Sequence, residues 1–148
     1  MGEPIIGQSK DGELMHFSVG AVIKDGKGKF LLIDRKNPPY GFAGVAGHVD
    51  EGEDYLTAFF REVREESGLR VVMYDRKFRE EIVNNTCKRG VSVHYWYLFE
   101  CFCKGKIRIE KSGAKSIGWY SKEEVRQMAR EKKLEPVWEY WFRKLGVI

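Results

Sequence analysis

At 148 residues, 43% hydrophobic and 32% charged, the chain has the make-up of a folded protein and is expected to form one domain over residues 1–148. Its formal charge of +4 comes from Lys and Arg spread along the chain, which argues against a nucleic-acid-binding tail and favours small phosphorylated partners. No run approaches the roughly 18 apolar residues of a membrane span, and the N-terminus reads neither as a secretory leader nor as a complete myristoylation signal.

In chain order, "HFSVGAVIK" (His16–Lys24) is β-branched enough for a strand. The turn residues "DGKGK" lead into a second strand, "FLLID", which predicts a hairpin. "RKNPPYGFAG" reads as a loop, because its two prolines cannot sit in a central strand. Tyr55–Ser67 has helical character and stops at Gly68. Leu69–Tyr74 and Phe78–Val83 read as two strands or one long bent strand. Val91–Cys103, apolar at both alternating sets of positions, reads as a central strand covered on both faces. "IGWYS" is a short strand running into a helix, with Ser121 and Glu124 spaced as a capping box. The final helix, Glu135–Leu145, places Trp138, Trp141, Phe142 and Leu145 on one stripe, which reads as core. The expected fold class is α/β (α+β): a mixed sheet with helices on both faces.

The three cysteines, Cys87, Cys101 and Cys103, have no metal-type CxxC spacing. They read as buried free thiols of a reducing cytoplasm, with Cys101 and Cys103 on one strand face. His94, in the two-sided apolar strand, reads as a core histidine with a satisfied partner elsewhere in the fold.

One stretch does not follow from packing. "REVREESG" places Glu62, Glu65 and Glu66 within about 100° of arc on a helix, together with Tyr55 and Ala58. Leu56, Phe60 and Val63 fall on the neighbouring stripe, which would anchor the helix to the sheet. On these residues alone, an arginine-compensated solvated face is the favoured explanation of the glutamates. The upstream residues decide otherwise. Gly47, Glu53, Arg61-Glu62-Val63, Glu65-Glu66 and Gly68-Leu69 match Gly-x5-Glu-x7-Arg-Glu-U-x-Glu-Glu-x-Gly-U at every fixed position, with U aliphatic. Chance would produce this at on the order of one start in 10⁸. The chain resembles the Nudix hydrolases, the MutT-like family.

The resemblance implies an α/β/α sandwich with a mixed sheet and metal-dependent hydrolysis of a diphosphate linkage. Mg²⁺ is the expected cofactor, with Mn²⁺ a substitute. It implies Glu65 and Glu66 as principal metal ligands, Glu62 as a further ligand or the general base, and Glu53 close to the catalytic water. It also implies Arg61 as the orienting partner of the glutamates, Ala46 as a carbonyl ligand, and Gly47 as the residue that permits a tight loop. An extra carboxylate before the Trp-containing strand has one candidate, Glu110. Outside the box, Arg35 either reaches a phosphate or is a solvated strand end, and Tyr40 or Phe42 either stacks on a base or packs the loop. The implied substrates are nucleoside triphosphates, slightly favoured, then ADP-ribose, nucleotide sugars and dinucleoside polyphosphates. The alternatives are a non-catalytic nucleotide sensor, an RNA-decapping hydrolase and a prenyl diphosphate isomerase. A homodimer would use an exposed strand or the aromatic C-terminal helix.

Overall fold

The computed structural model describes residues 2–148 and holds eight strands and three helices. The strands are β1 (Ile6–Gln8), β2 (Leu14–Lys24), β3 (Phe30–Arg35), β4 (Phe42–Ala43), β5 (Val45–His48), β6 (Arg70–Ile82), β7 (Val93–Lys104) and β8 (Ala114–Tyr120). The helices are α1 (Tyr55–Ser67), α2 (Lys122–Arg130) and α3 (Pro136–Lys144). The sheet is mixed: β2 and β7 run parallel from Met15↔Val93 to Lys24↔Phe102, and the other ladders are antiparallel.

The predicted hairpin forms but opens at once. Asp25 accepts from the backbone N–H groups of Lys27 and Lys29, closing the turn, yet β2 and β3 pair only at Lys24↔Phe30. Along that same edge β2 instead pairs β5 from Ser18↔His48 to Ala21↔Val45, and then β1 near its start. β3 turns away to pair β4 and β8. The fork leaves a gap between β3 and β5.

Gly47, expected in a loop, lies within strand β5. Its requirement for glycine comes from a neighbour: a Cβ there would fall inside the Glu62 carboxyl group.

Two cores cover the two sheet faces. On one, α1 buries Ala58, Phe59 and Val63 against Val19, Leu31 and Phe99. The anchor is Phe59, stacked on Phe99 at 4.0 Å between centroids, and not Phe60, which is 40% exposed. A one-residue step turns a helix by about 100°, so the apolar stripe lies nearer Phe59 than the sequence pattern suggested. On the other face α2 and α3 pack Val125, Trp138, Trp141 and Phe142 against Val22, Leu32 and Leu98. The aromatic stripe of α3 is therefore interior and is no free interface. α2 carries the expected capping box of Ser121 and Glu124.

β6 is one continuous strand at the sheet margin, bent by register shifts at Val71/Met73 and Arg76/Phe78. It exposes Val72, Met73 and Tyr74 between charged residues. No described helix is long and apolar enough to cross a membrane.

Candidate active site

Helix α1 is placed by its ends. Asp54 accepts the Thr57 N–H at 2.7 Å as N-cap, and Gly68 closes the C-terminus at φ 76°, a left-handed conformation that favours glycine. With Phe59 and Val63 buried beneath the helix, Glu62 and Glu66 point along it toward β5. The Ala46 N–H donates to Glu66 Oε1 at 3.1 Å. Glu62 lies against Gly47, so the missing Cβ admits its carboxylate.

Arg61 gathers the acids. Its Nε and Nη2 donate to Glu53 Oε2 and Oε1 at 2.7 and 2.9 Å, a two-pronged pair. Its Nη1 reaches Glu62 Oε1 at 2.7 Å and Glu65 Oε1 at 3.0 Å. Nη2 also donates to the His48 carbonyl at 2.9 Å and lies 3.3 Å from Asp50 Oδ2. Asp50, which the sequence reading passed over, completes a set of five carboxylates: Asp50, Glu53, Glu62, Glu65 and Glu66. The motif spacing leaves its position variable, so no pattern marked it.

Four acids on one guanidinium, with Glu66 beside Glu62, leave negative charge unbalanced. Burial pushes the Glu62 carboxyl up to about 7, although Arg61 opposes it. Burial and then the adjacent Glu62 push Glu66 up to about 8. Glu53, by contrast, is held below the usual carboxylate range by its hydrogen bonds from Arg61. The side chain of Glu65 is 60% exposed.

These groups line a cavity of about 710 Å³ opening from the gap between β3 and β5. Arg35, Lys88 and Arg89 also line it, as does Glu110. Arg35 Nε donates to the Pro39 carbonyl at 2.6 Å, which holds the guanidinium over the cavity. Glu110 is capped by its own loop: Ser112 Oγ donates to Oε2 at 2.5 Å and the Ser112 N–H to Oε1 at 3.3 Å. Phe42 and Tyr40 do not line the cavity. Phe42 packs edge-on against Tyr120 at 5.6 Å, the packing alternative, and Tyr40 is 61% exposed.

A second group of side chains went unnoticed in the sequence. His16, His48, Cys87 and His94 converge, with one donor atom from each within 4.8 Å of every other. His48 Nε2 lies 3.4 Å from His94 Nε2, and Cys87 Sγ lies 3.9 Å from His16 Nδ1. His94 is buried as expected, but its Nδ1 has no hydrogen-bond partner, so it is not a satisfied core histidine. Burial lowers His48 and His94 to about 4, which leaves both imidazoles neutral at neutral pH. Cys101 is buried, Cys87 and Cys103 are half-buried, and all three thiols are free. As expected from one strand face, Cys101 and Cys103 bring their sulfurs to 3.9 Å.

The comparisons with known proteins agree with this architecture. The asymmetrical bis(5'-nucleosyl)-tetraphosphatase of Caenorhabditis elegans is 33% identical over 73 residues, covering 48% of this chain and 53% of that protein, so the match spans about half of that relative's length. The Mus musculus protein of the same name is 28% identical over 109 residues, 72% of this chain and 74% of its own. The solved MutT protein from Methanosarcina mazei Go1 superposes with a TM-score of 0.73 at 20% identity, covering 89% of this chain and 93% of that one, a likeness of fold. A model of the NUDIX domain matches residues 14–142, a span that takes in α1, β5 and every box residue, and the chain belongs to the NUDIX family.

Proposed function

We propose that the chain is a divalent-metal-dependent hydrolase of a phosphoanhydride bond in a nucleoside diphosphate linked to another group, with dinucleoside polyphosphates as the leading substrate class. The observation that carries this reading is the convergence of Glu53, Glu62 and Glu65 on Arg61, with Glu66 beside Glu62 and held by the Ala46 N–H, at the wall of a 710 Å³ cavity that also presents Arg35, Lys88 and Arg89. The volume lies within the range of nucleotide-sized ligand sites. The names of the nematode and mouse relatives move the choice within the class from nucleoside triphosphates toward dinucleoside tetraphosphates.

The donor set suits a hard cation. It is oxygen-only, and the mutual crowding of Glu62 and Glu66 is charge that Arg61, already shared among four other acceptors besides Glu62, does not neutralise. Glu65 and Glu66, with the Ala46 carbonyl, would hold Mg²⁺ or Mn²⁺, which leaves Glu62 for proton transfer. When bound, the ion supplies neutralisation of phosphate charge and activation of water.

The chain's own residues divide the remaining work. The hydrogen bonds of Glu53 from Arg61 and the Asp50 N–H, and those of Glu110 from Ser112, hold both carboxyls below the usual range and make them weaker proton acceptors. Glu62 keeps the oxygen that Arg61 does not hold, and it lines the cavity where the attacking water must sit. This supports Glu62 Oε2 as acceptor of the proton from the attacking water. Arg61 positions it, and Arg35, Lys88 and Arg89 hold the phosphate chain. Glu110 then acts through the loop it caps.

The test is incubation with Mg²⁺ and diadenosine tetraphosphate beside triphosphates, oxidised triphosphates, ADP-ribose and nucleotide sugars. The expected result is AMP plus ATP from the tetraphosphate, abolished by chelation and by Glu65→Gln/Glu66→Gln. Binding of these nucleotides without turnover of any would overturn the hydrolase reading in favour of a sensor.

A further inference from the structure

We propose that His16, His48, Cys87 and His94 form a second metal site, a tetrahedral three-imidazole, one-thiolate centre for a zinc-class divalent ion, which fastens the 83–92 segment to the sheet beside the cavity. Its ligands differ from those of the glutamate cluster and none is shared with it, although His48, Cys87 and His94 line the same cavity.

The three histidines stand on a rigid platform. His16 of β2 and His94 of β7 are direct partners in the parallel ladder, and His48 of β5 is the partner of Ser18, two residues along β2 on the same face. Contiguous strands thus aim three imidazoles at one point. Cys87 arrives from above on a segment held by its own backbone. Cys87 N–H donates to the Val91 carbonyl at 3.0 Å, the Gly90 N–H to the Cys87 carbonyl at 2.9 Å, and the Asn85 N–H to the Ser92 carbonyl at 2.9 Å. Trp96 Nε1 donates to Asn85 Oδ1 at 2.9 Å, tying that segment to β7.

The spacing suits a small tetrahedral ion. Bonds of about 2.0–2.1 Å to nitrogen and about 2.3 Å to sulfur put two nitrogens about 3.4 Å apart, and nitrogen and sulfur about 3.6 Å apart. His48 and His94 already stand at 3.4 Å, and Cys87 and His16 at 3.9 Å. No donor pair exceeds 4.8 Å, so closure requires side-chain movements of about an ångström or less and no backbone rearrangement. Mixed imidazole and thiolate ligands select zinc over magnesium or calcium, which take oxygen. Four protein ligands fill the shell, so the site is structural. Its consequence is local: Lys88 and Arg89, the next residues after Cys87, line the cavity, and an ion holding Cys87 holds them in place.

Metal content by mass spectrometry and Zn²⁺ titration against a chromophoric chelator test this on the full chain. One zinc per chain is expected, with affinity falling more than about 100-fold in Cys87→Ala and in His94→Gln, and unchanged in Glu65→Gln/Glu66→Gln. Circular dichroism checks that each variant folds, and the wild type stripped and reloaded with Co²⁺ supplies a readout that needs no variant. Cobalt should show intense tetrahedral visible bands with thiolate-to-metal charge transfer. Absence of stoichiometric Zn²⁺ binding by the stripped wild type, an octahedral cobalt spectrum, or zinc lost only in the glutamate variant would overturn the proposal. Because the readouts are metal content and spectra, an inactive hydrolase would leave them unaffected.

Discussion

Arg61 donates from Nη2 to the backbone carbonyl of His48 at 2.9 Å, so the residue that gathers the carboxylates is fixed to the strand whose imidazole belongs to the histidine–cysteine group. Helix α1 and strand β5 are held in register by this bond and by the Ala46 N–H to Glu66 contact. The geometry of the candidate site therefore depends on a four-residue strand.

Arg61→Lys should retain the charge and lose the fork. A single ammonium cannot serve Glu53 twice while also reaching Glu62, Glu65 and the His48 carbonyl. The expected outcome is a fall in kcat of roughly 10²-fold with a smaller change in KM. Arg61→Ala should in addition lower stability by about 2–3 kcal/mol, because partly buried glutamates lose their counter-charge. Steady-state kinetics and urea unfolding of the two variants check both statements.

Gly47→Ala should separate folding from catalysis. The strand conformation accepts alanine, but its methyl occupies the space of the Glu62 carboxylate. Glu62 must move, and an ångström of misplacement is worth about 10²-fold in rate. Near wild-type activity with a near wild-type melting temperature would remove Glu62 from the chemistry.

Metal-free protein should lose stability as pH rises from about 6.5 to 8. Glu62 and Glu66 have folded pKa values raised to about 7 and about 8, so in this window the folded state still holds protons that the unfolded state has released. Buried Glu135, raised to about 7, acts in the same direction. The lowered His48 and His94 act oppositely, but only between about 4 and 6.5, below the window. The expected loss is on the order of 1 kcal/mol, and Mg²⁺ should reverse the Glu62 and Glu66 share. Urea titrations at three pH values, with chelator and with Mg²⁺, measure it. Stability rising through this window would contradict the assignment.

Phe59→Ala and Phe60→Ala test the face of α1. Phe59 is fully buried on Phe99, and its loss should cost about 3–5 kcal/mol. Phe60 is 40% exposed, and its loss should cost under about 1 kcal/mol. Equilibrium unfolding distinguishes them.

Legibility from the sequence followed the range of the interactions. α1 was readable from end to end because its stop at Gly68 and its glutamate spacing are local, and the capping box of α2 is local too. Phe59 and Phe60 were confused because one residue shifts the helix face by about 100° and both are phenylalanine. Strands β1 and β5 have three and four residues, too few for alternation to register. The histidine–cysteine group was illegible because it joins four segments between positions 16 and 94, and only the ladder register brings them together. Asp50 was missed for a related reason: its role is defined by where the Arg61 fork lands.

The fork in β2 has a further consequence. The cavity between β3 and β5 is an opening in the hydrogen-bond lattice of the sheet, framed by main-chain ladders on both sides. Larger or smaller side chains on its walls can reshape its interior without closing it, since the backbone holds the walls apart. Such a framework can exchange one guest for another through point substitutions at its lining, while helix α1 and its carboxylates stay in place.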